Sequence, residues 1–184
     1  MKRAVELRQL SDEHHQGLVQ ARRLRKAAAG EGAGPLEEAA GDFLGFWQRD
    51  TSAHFRKEEE VLLPVLARYG QDVPDREPVV EMLGQHARIR GLVMQLSDEY
   101  ADGNLRPETL GEIGESLEAH IRLEEREVFP MIEEVLPKIA LEEVASRLAV
   151  KEAGPRVEPW VATEGGLSYA PWPGPGDSEG GGWS

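Results

Sequence analysis

The chain has no cysteine among its 184 residues, few aromatic side chains and far fewer basic than acidic residues. The lack of cysteine rules out disulfides, thiolate catalysis, iron–sulfur clusters and Cys-ligated zinc. Any metal site must therefore be built from histidine and carboxylate. With 21 Lys and Arg against 34 Asp and Glu, the net charge is −13. This charge argues against nucleic acid and against an anionic membrane surface as partners, because both attract basic proteins.

No apolar run approaches the roughly 20 residues that a membrane span requires. Lys2 and Arg3 resemble the start of a signal peptide, but the apolar stretch that would have to follow is interrupted by Glu6, Arg8 and Asp12. We therefore expect a cytoplasmic protein. The length suits one domain with its own hydrophobic core.

Apolar residues recur at helical spacing over most of the first 150 positions, and sustained strand-like alternation is absent. This pattern predicts an all-α fold. Short connections between the long helices predict antiparallel neighbours, and hence an up-down-up-down four-helix bundle followed by a short fifth helix. The fifth helix is expected to be amphipathic through Ile139, Val144 and Leu148. The expected helix ranges are 4–29, 35–70, 77–101, 107–136 and 138–151.

The composition changes at Gly154. Residues 154–184 contain five prolines, eight glycines and three of the four tryptophans. Because so much glycine and proline opposes regular structure, we expect residues 1–153 to form the bundle and residues 154–184 to form a flexible tail. Two interpretations of the tryptophans stay open: they fix the tail to the bundle or a partner, or they are exposed in a disordered segment. These tryptophans are Trp160, Trp172 and Trp183.

Two matched motifs place a histidine and a glutamate one helical turn apart. His54 is followed four residues on by Glu58, and His120 by Glu124. The two side chains of each pair point to the same side of their helix. A proline lies ten residues past each of these histidines. One His-x-x-x-Glu pair is common by chance, but two copies with matching flanks predict a shared site.

The first and third helices each carry one histidine in the middle of an apolar stripe. Superposing His14 on His86 aligns apolar residues at the same steps before and after both histidines. His15 is the alternative on the first helix, but the residues seven positions away on either side are Arg8 and Arg22. Periodicity therefore favours His14.

The interior of such a bundle would contain four histidines and two carboxylates. Burying them without a metal would cost a few kcal/mol for each unpaired group. The glutamates beside Lys and Arg, namely Glu59, Glu60 and Glu125, are instead expected on solvated faces. The predicted metal ligands are His14, His54, Glu58, His86, His120 and Glu124.

The sequence resembles hemerythrin-like proteins, which contain the HHE cation-binding domain. The resemblance covers about residues 5–135 and rests on His14, the His54…Glu58 motif, His86 and the His120…Glu124 motif. It implies a four-helix bundle with a non-haem di-iron centre. Residues 154–184 have no counterpart in that pattern.

Imidazole and carboxylate donors suit divalent first-row metals better than Mg²⁺ or Ca²⁺. Six donors fit two ions, each bound by two histidines, with Glu58 and Glu124 bridging them across roughly 3.5–4 Å. The resemblance favours two iron ions, with or without an oxo or hydroxo bridge, while donor chemistry leaves manganese and zinc open. Oxygen-carrying hemerythrins use five histidines and two carboxylates, so His15 is either a fifth ligand or an outer neighbour of the ligands.

Fewer protein ligands leave more coordination positions free for O2, NO, peroxide or water. We therefore expect a protein that binds or senses O2, NO or iron. The alternatives are a di-iron oxidoreductase acting on peroxide or O2, with a reductase as partner, and a stress-related iron–sulfur repair protein. An enzyme would need a substrate cleft lined by aromatic side chains, which the sequence does not indicate. Positions in the core and in the walls of the site are expected for Phe43, Phe46, Trp47, Phe55 and Phe129.

Overall fold

The computed structural model of the protein describes residues 3–32, 34–153, 160–163 and 166–169, with side chains described for 3–32 and 34–149. Regular structure in these ranges is dominated by α-helix. The helices are α1 (Arg8–Ala28), α2 (Leu36–Phe46), α3 (Ser52–Lys57), α4 (Leu63–Tyr69), α5 (Glu77–Ala101), α6 (Pro107–Leu123), α7 (Phe129–Val135) and α8 (Lys138–Ala153). Three π turns (Trp47–Thr51, Glu58–Leu62 and Glu124–Val128), one 3₁₀ turn (Val73–Asp75) and the strands β1 (Trp160–Thr163) and β2 (Gly166–Tyr169) complete the described elements.

The four long helices and the shorter fifth helix expected from the apolar pattern are present. α1 and α5 are uninterrupted α-helices, whereas the other two long helices are composite. Residues 36–69 form one continuous run of α2, α3 and α4 joined by two π turns. Residues 107–135 form a second run of α6 and α7 joined by the third π turn. We expected both runs to be regular α-helix, and the π turns correct that expectation.

Two of the π turns have a local cause in proline. Pro64 and Pro130 each lie two residues beyond a π turn. Proline has no N–H, and its ring crowds the carbonyl four residues earlier, so regular α-helix is unfavourable just before it. The N–H of the residue that follows each turn donates instead to a carbonyl five residues back, as Leu63 does to Glu58. The helix thus widens by one residue without breaking.

Glycine and proline set the ends of the long helices. Gly30 and Gly103 follow α1 and α5 with φ of 71° and 65°, a left-handed conformation that glycine adopts without strain. Pro35 immediately precedes α2, and Pro107 is the first residue of α6. Proline suits a helix start because its fixed φ is helical and its missing N–H is not needed there.

Two apolar clusters fill the bundle, one on each side of a buried polar layer. The first contains residues that precede the histidines of α1 and α5, such as Leu10 and Met82. The second contains residues that follow those histidines, such as Leu24 and Val93. The polar layer is therefore enclosed by apolar packing toward both ends of the helices.

The fifth helix, α8, covers the end of the first cluster. Its buried side chains are Ala140, Leu141, Val144 and Leu148. The expected role of Ile139 in the apolar face is wrong, because this side chain is 65% exposed. At 100° per residue, Ile139 lies about 140° around the helix from Val144, which places it on the solvent side.

The predicted tail, residues 154–184, lies mostly outside the described residues. Where it is described, β1 and β2 form an antiparallel pair in which Trp160 faces Tyr169 and Thr163 faces Gly166. The expectation of no regular structure is therefore wrong for these eight residues. They contain no proline and include aromatic and β-branched residues, which favour strands. Among the described residues, no helix combines the length and the apolar composition needed to cross a membrane.

Candidate metal centre

The six predicted ligands meet in the polar layer between the two apolar clusters. Glu58, His86, His120 and Glu124 have no exposed surface, while His14 and His54 expose 4% and 6%. They form two overlapping groups that share both glutamates. One group adds the histidines of α1 and α3, and the other adds those of α5 and α6. Within each group, the four donor atoms lie within 4.8 Å of one another.

All four histidines direct Nε2 toward the centre of the layer. The distances to the nearest carboxylate oxygens are 2.9 Å for His14 to Glu124, 3.3 Å for His54 to Glu58, 3.2 Å for His86 to Glu58 and 3.3 Å for His120 to Glu124. The two pairs spaced four residues apart have the same distance of 3.3 Å, as the repeated motif predicts. Each glutamate thus approaches one histidine of each group.

The hydrogen-bonding pattern of these atoms fits a bound cation. Among the described residues, both carboxylate oxygens of Glu58 and Glu124 are buried and accept no well-directed hydrogen bond. In the same described residues, Nε2 of His86 and Nε2 of His120 are also buried without a hydrogen-bond partner. Buried polar atoms without partners are costly, and carboxylates most of all. Divalent ions between the two glutamates would give every one of these atoms a partner, and the mixed nitrogen and oxygen donors suit first-row metals.

A second layer of glutamates contacts three of the four histidines on the side away from the centre. Nδ1 of His14 lies 2.7 Å from Glu125 Oε1, and Nδ1 of His86 lies 2.7 Å from Glu59 Oε1. Nδ1 of His54 lies 2.8 Å from Oε2 of Glu13. An Nδ1–H that donates to a carboxylate leaves Nε2 free to bind metal and fixes the orientation of the ring.

These contacts correct the expectation that Glu59 and Glu125 only face solvent. Both are partly exposed, yet each holds a buried histidine on a neighbouring helix. Glu60 is exposed, as expected. The role of Glu13 was not anticipated at all. One sequence feature could have indicated this role: Glu13 is directly next to a predicted ligand in the chain. Glu59 and Glu125 have the same feature.

The chain matches the family Hemerythrin HHE cation binding domain over residues 6–132. The protein belongs to the hemerythrin HHE family. No curated protein and no solved structure gives a match to the chain. The family assignment agrees with the helical bundle and with the His and Glu groups that could hold a cation.

Charges around the centre of this hemerythrin domain follow from burial and from the carboxylates. Burial alone would lower the pKa of His54, but Glu58 and Glu13 outweigh it and raise that pKa to about 9. Burial alone would raise the pKa of Glu125, but its hydrogen bonds, above all the one from His14, lower it to about 2. Burial would also raise the pKa values of Glu13 and Glu59. Their histidine and cationic partners outweigh this effect, so both pKa values are lowered.

The pKa values of the two central glutamates of the hemerythrin domain, Glu58 and Glu124, are shifted in opposite directions. Burial would raise the pKa of Glu58, but His54 and His86 hold it well below its usual range. Burial and the neighbouring charge of Glu58 raise the pKa of Glu124 well above its usual range. Without metal, the pair therefore favours one charged and one protonated carboxyl. Metal ions that bind both oxygen pairs must displace such protons.

Aromatic side chains form walls beside the histidines, as the sequence predicts. Phe129 stacks on His14 with ring centroids 5.5 Å apart. Phe55 stacks on His86 at 3.8 Å and meets His120 edge-on at 4.9 Å. Trp47 in turn meets Phe55 edge-on, with ring centroids 5.5 Å apart. Phe43, Phe46, Trp47, Phe55 and Phe129 are all buried.

His15 lies apart from the centre. Its side chain is exposed, while that of His14, one residue earlier, is buried. A step of one residue turns a helix by 100°, so adjacent residues cannot both face the same interior point. His15 belongs to neither group of clustered donors among the described residues. The structure therefore brings together the six predicted ligands and leaves out the alternative.

Proposed function

We propose that this hemerythrin domain holds two non-haem iron ions and binds or senses O2, NO or iron. The observation that carries the proposal is the pair of overlapping groups, each with two histidines and the same two glutamates. Iron is favoured by the family and is compatible with the donors, whereas manganese and zinc share the same donor preference. The up-down-up-down order of the helices and a cytoplasmic location belong to this proposal.

The donor count supports a role in binding small ligands. Two histidines and one oxygen from each of two glutamates give four protein donors per ion. First-row ions commonly accept up to six ligands, so positions would stay free for a diatomic molecule, peroxide or water. Iron would supply reversible redox chemistry at those positions.

The chain's own residues prepare the site for that role. Glu13, Glu59 and Glu125 hold three imidazole rings so that Nε2 faces the centre. Phe55 and Phe129 cover the rings with apolar surface. Apolar walls restrict water at the site, and in doing so they favour small neutral ligands.

Metal analysis of the purified protein tests the proposal. We expect about two irons per chain and visible absorption from ferric iron with bridging ligands. Glu124→Ala should lose most of this iron because the glutamate belongs to both groups. Glu60→Ala is the matched control, since Glu60 is exposed and belongs to neither group. A protein that takes up no iron, or a Glu124→Ala variant that keeps both ions, would refute the proposal.

Reduction followed by a limited addition of O2 separates binding from catalysis. A spectrum that forms and reverses on removal of the gas supports a binding or sensing role. Irreversible oxidation with steady consumption of peroxide or O2 would instead indicate an oxidoreductase supplied by a reductase. Restoration of a damaged iron–sulfur protein on addition of the iron-loaded chain would indicate a repair role.

A further inference from the structure

The centre consists of two halves related by the sequence repeat. His14 and His54 supply one half, and His86 and His120 supply the other. In the repeat, His14 corresponds to His86, and His54 corresponds to His120. The glutamates that follow the two central carboxylates also correspond, since Glu59 contacts one half and Glu125 contacts the other. Any difference between the halves must therefore come from other positions.

Three of the four histidines have an anionic partner at Nδ1, and a cation secures each partner. Glu13 also accepts from Lys57 at 2.5 Å. Glu59 accepts from Arg90 at 2.8 Å, and Glu125 accepts from Arg3 at 2.7 Å. Each of these three imidazoles is therefore held by a carboxylate that is itself fixed by an ion pair.

The fourth histidine differs. Nδ1 of His120 is buried and has no hydrogen-bond partner among the described residues. The residue that corresponds to Glu13 in the repeat is Gln85, directly before His86. Its Nε2 donates to Glu81 Oε1 at 2.9 Å, and its Oε1 is buried without a partner in the described part of the chain.

Lys57, the cation that secures Glu13, also has no counterpart at the corresponding position of the second half. Leu123 lies three residues after His120, where the first motif has Lys57 three residues after His54. Leu123 is buried among apolar residues. Packing against Phe55 and His86, rather than a hydrogen bond, orients the ring of His120. One half of the centre is thus supported by two carboxylates at Nδ1, and the other half by one.

We infer that the halves of the centre are chemically unequal, and that the His14–His54 half binds a divalent first-row metal ion more tightly than the His86–His120 half. The inference rests on the metal binding of the proposed function. A carboxylate at Nδ1 makes the imidazole a stronger donor and fixes its orientation, and loss of such a partner typically lowers metal affinity by about 10–100-fold. The two ions should therefore bind in two steps, and the ion beside His120 should exchange more readily.

Partial loading of the metal-free protein with Co²⁺ tests this order. Crystals grown with one equivalent of Co²⁺ should show anomalous scattering mainly between His14 and His54, and calorimetric titration should resolve two affinities about 10–100-fold apart. Equal occupancy of the halves, or preferred occupancy beside His120, would overturn the inference while leaving metal binding intact. A failure to bind any metal ion would refute the proposed function itself.

Two reciprocal variants identify the cause. Glu13→Gln should weaken the tighter step by about 10–100-fold and bring the two affinities together. Gln85→Glu places a carboxylate at the corresponding position of the other half and should strengthen the weaker step. Circular dichroism of the metal-free variants checks that both fold. If Glu13→Gln folds and leaves both affinities unchanged, the partners at Nδ1 do not produce the difference, and the inference is wrong.

Discussion

Replacement of Gly114 by alanine should destabilise the bundle because α1 and α6 approach each other closely at this glycine. A Cβ at position 114 would lie 2.7 Å from the carbonyl oxygen of Ala21 and 2.8 Å from Cγ of Arg25. The oxygen belongs to the backbone of α1, so the contact can be relieved only if the two helices move apart. These helices carry His14 and His120.

Two opposing effects set the size of the change. Alanine in a helix is favoured over glycine by about 1 kcal/mol. Forcing an extra methyl group into a packed interface typically costs about 1–3 kcal/mol. Because the clash is with a backbone atom, we expect the steric cost at the upper end of this range, and hence a net loss of about 2 kcal/mol in the free energy of unfolding. Separation of α1 from α6 should also weaken metal binding, because it would move His14 away from Glu124. Nε2 of His14 and Oε2 of Glu124 are now only 2.9 Å apart.

Other glycines of the chain provide matched controls. An alanine Cβ at Gly84 or Gly91 in α5 would meet no atom within 4 Å, so these variants should gain about 0.5–1 kcal/mol. At Gly17 the clash is with Cδ1 of Ile121, the end of a flexible side chain, so the net change should be near zero. Urea unfolding of the metal-free proteins measures the free energy of unfolding of all four glycine-to-alanine variants. A Gly114→Ala protein as stable as the wild type would refute the close-approach argument.

Further predictions concern pH and the fifth helix. In metal-free protein, the folded-state pKa of His54 is raised from 6.5 to about 9, so its stabilising effect of about 3 kcal/mol is complete below pH 6.5 and lost as the pH rises through 9. Urea unfolding across this range should show the decline, which a flat profile would contradict. Metal binding at neutral pH should release protons, measurable as buffer-dependent calorimetric heats. On α8, Leu148→Ala should cost about 2–5 kcal/mol, whereas Ile139→Ala should change stability by less than about 0.5 kcal/mol. Equal effects in thermal unfolding would show that the buried face of α8 is assigned wrongly.

The sequence was sufficient to locate the long helices and the six clustered residues, because both follow from local periodicity. His54 and Glu58 are one turn apart wherever the helix lies, and the repeat at His120 made chance unlikely as an explanation. The preference for a buried His14 came from the same periodicity, and the structure places that side chain in the interior.

The outer glutamates could not be predicted in this way. Glu59 directly follows Glu58, so the two side chains leave the helix in different directions, and local periodicity assigns Glu59 to the solvent side. It reaches His86 only because α5 is the neighbouring helix on that side, which is a property of the tertiary arrangement. The exposure of Ile139 was by contrast available from periodicity, because this residue lies about 140° from Val144 around α8. The strand-favouring composition of residues 160–163 and 166–169 was also visible in the sequence.

The π turns have a consequence for how this chain tolerates changes in length. A π turn contains one residue more than the α-helical turn it replaces, while the helical segments on either side bury the same faces as before. The π turn Trp47–Thr51 is not followed by a proline, so deletion of the exposed Asp50 can convert it to α-helix without rotating α3 relative to α2. The uninterrupted helix α5 has no extra residue that a deletion could remove. Deletion of Met94 would therefore rotate the residues that follow it, including buried Leu96, by about 100° around the helix axis. Single-residue deletions in homologous chains should accordingly concentrate at the turn Trp47–Thr51 and be rare in α1 and α5.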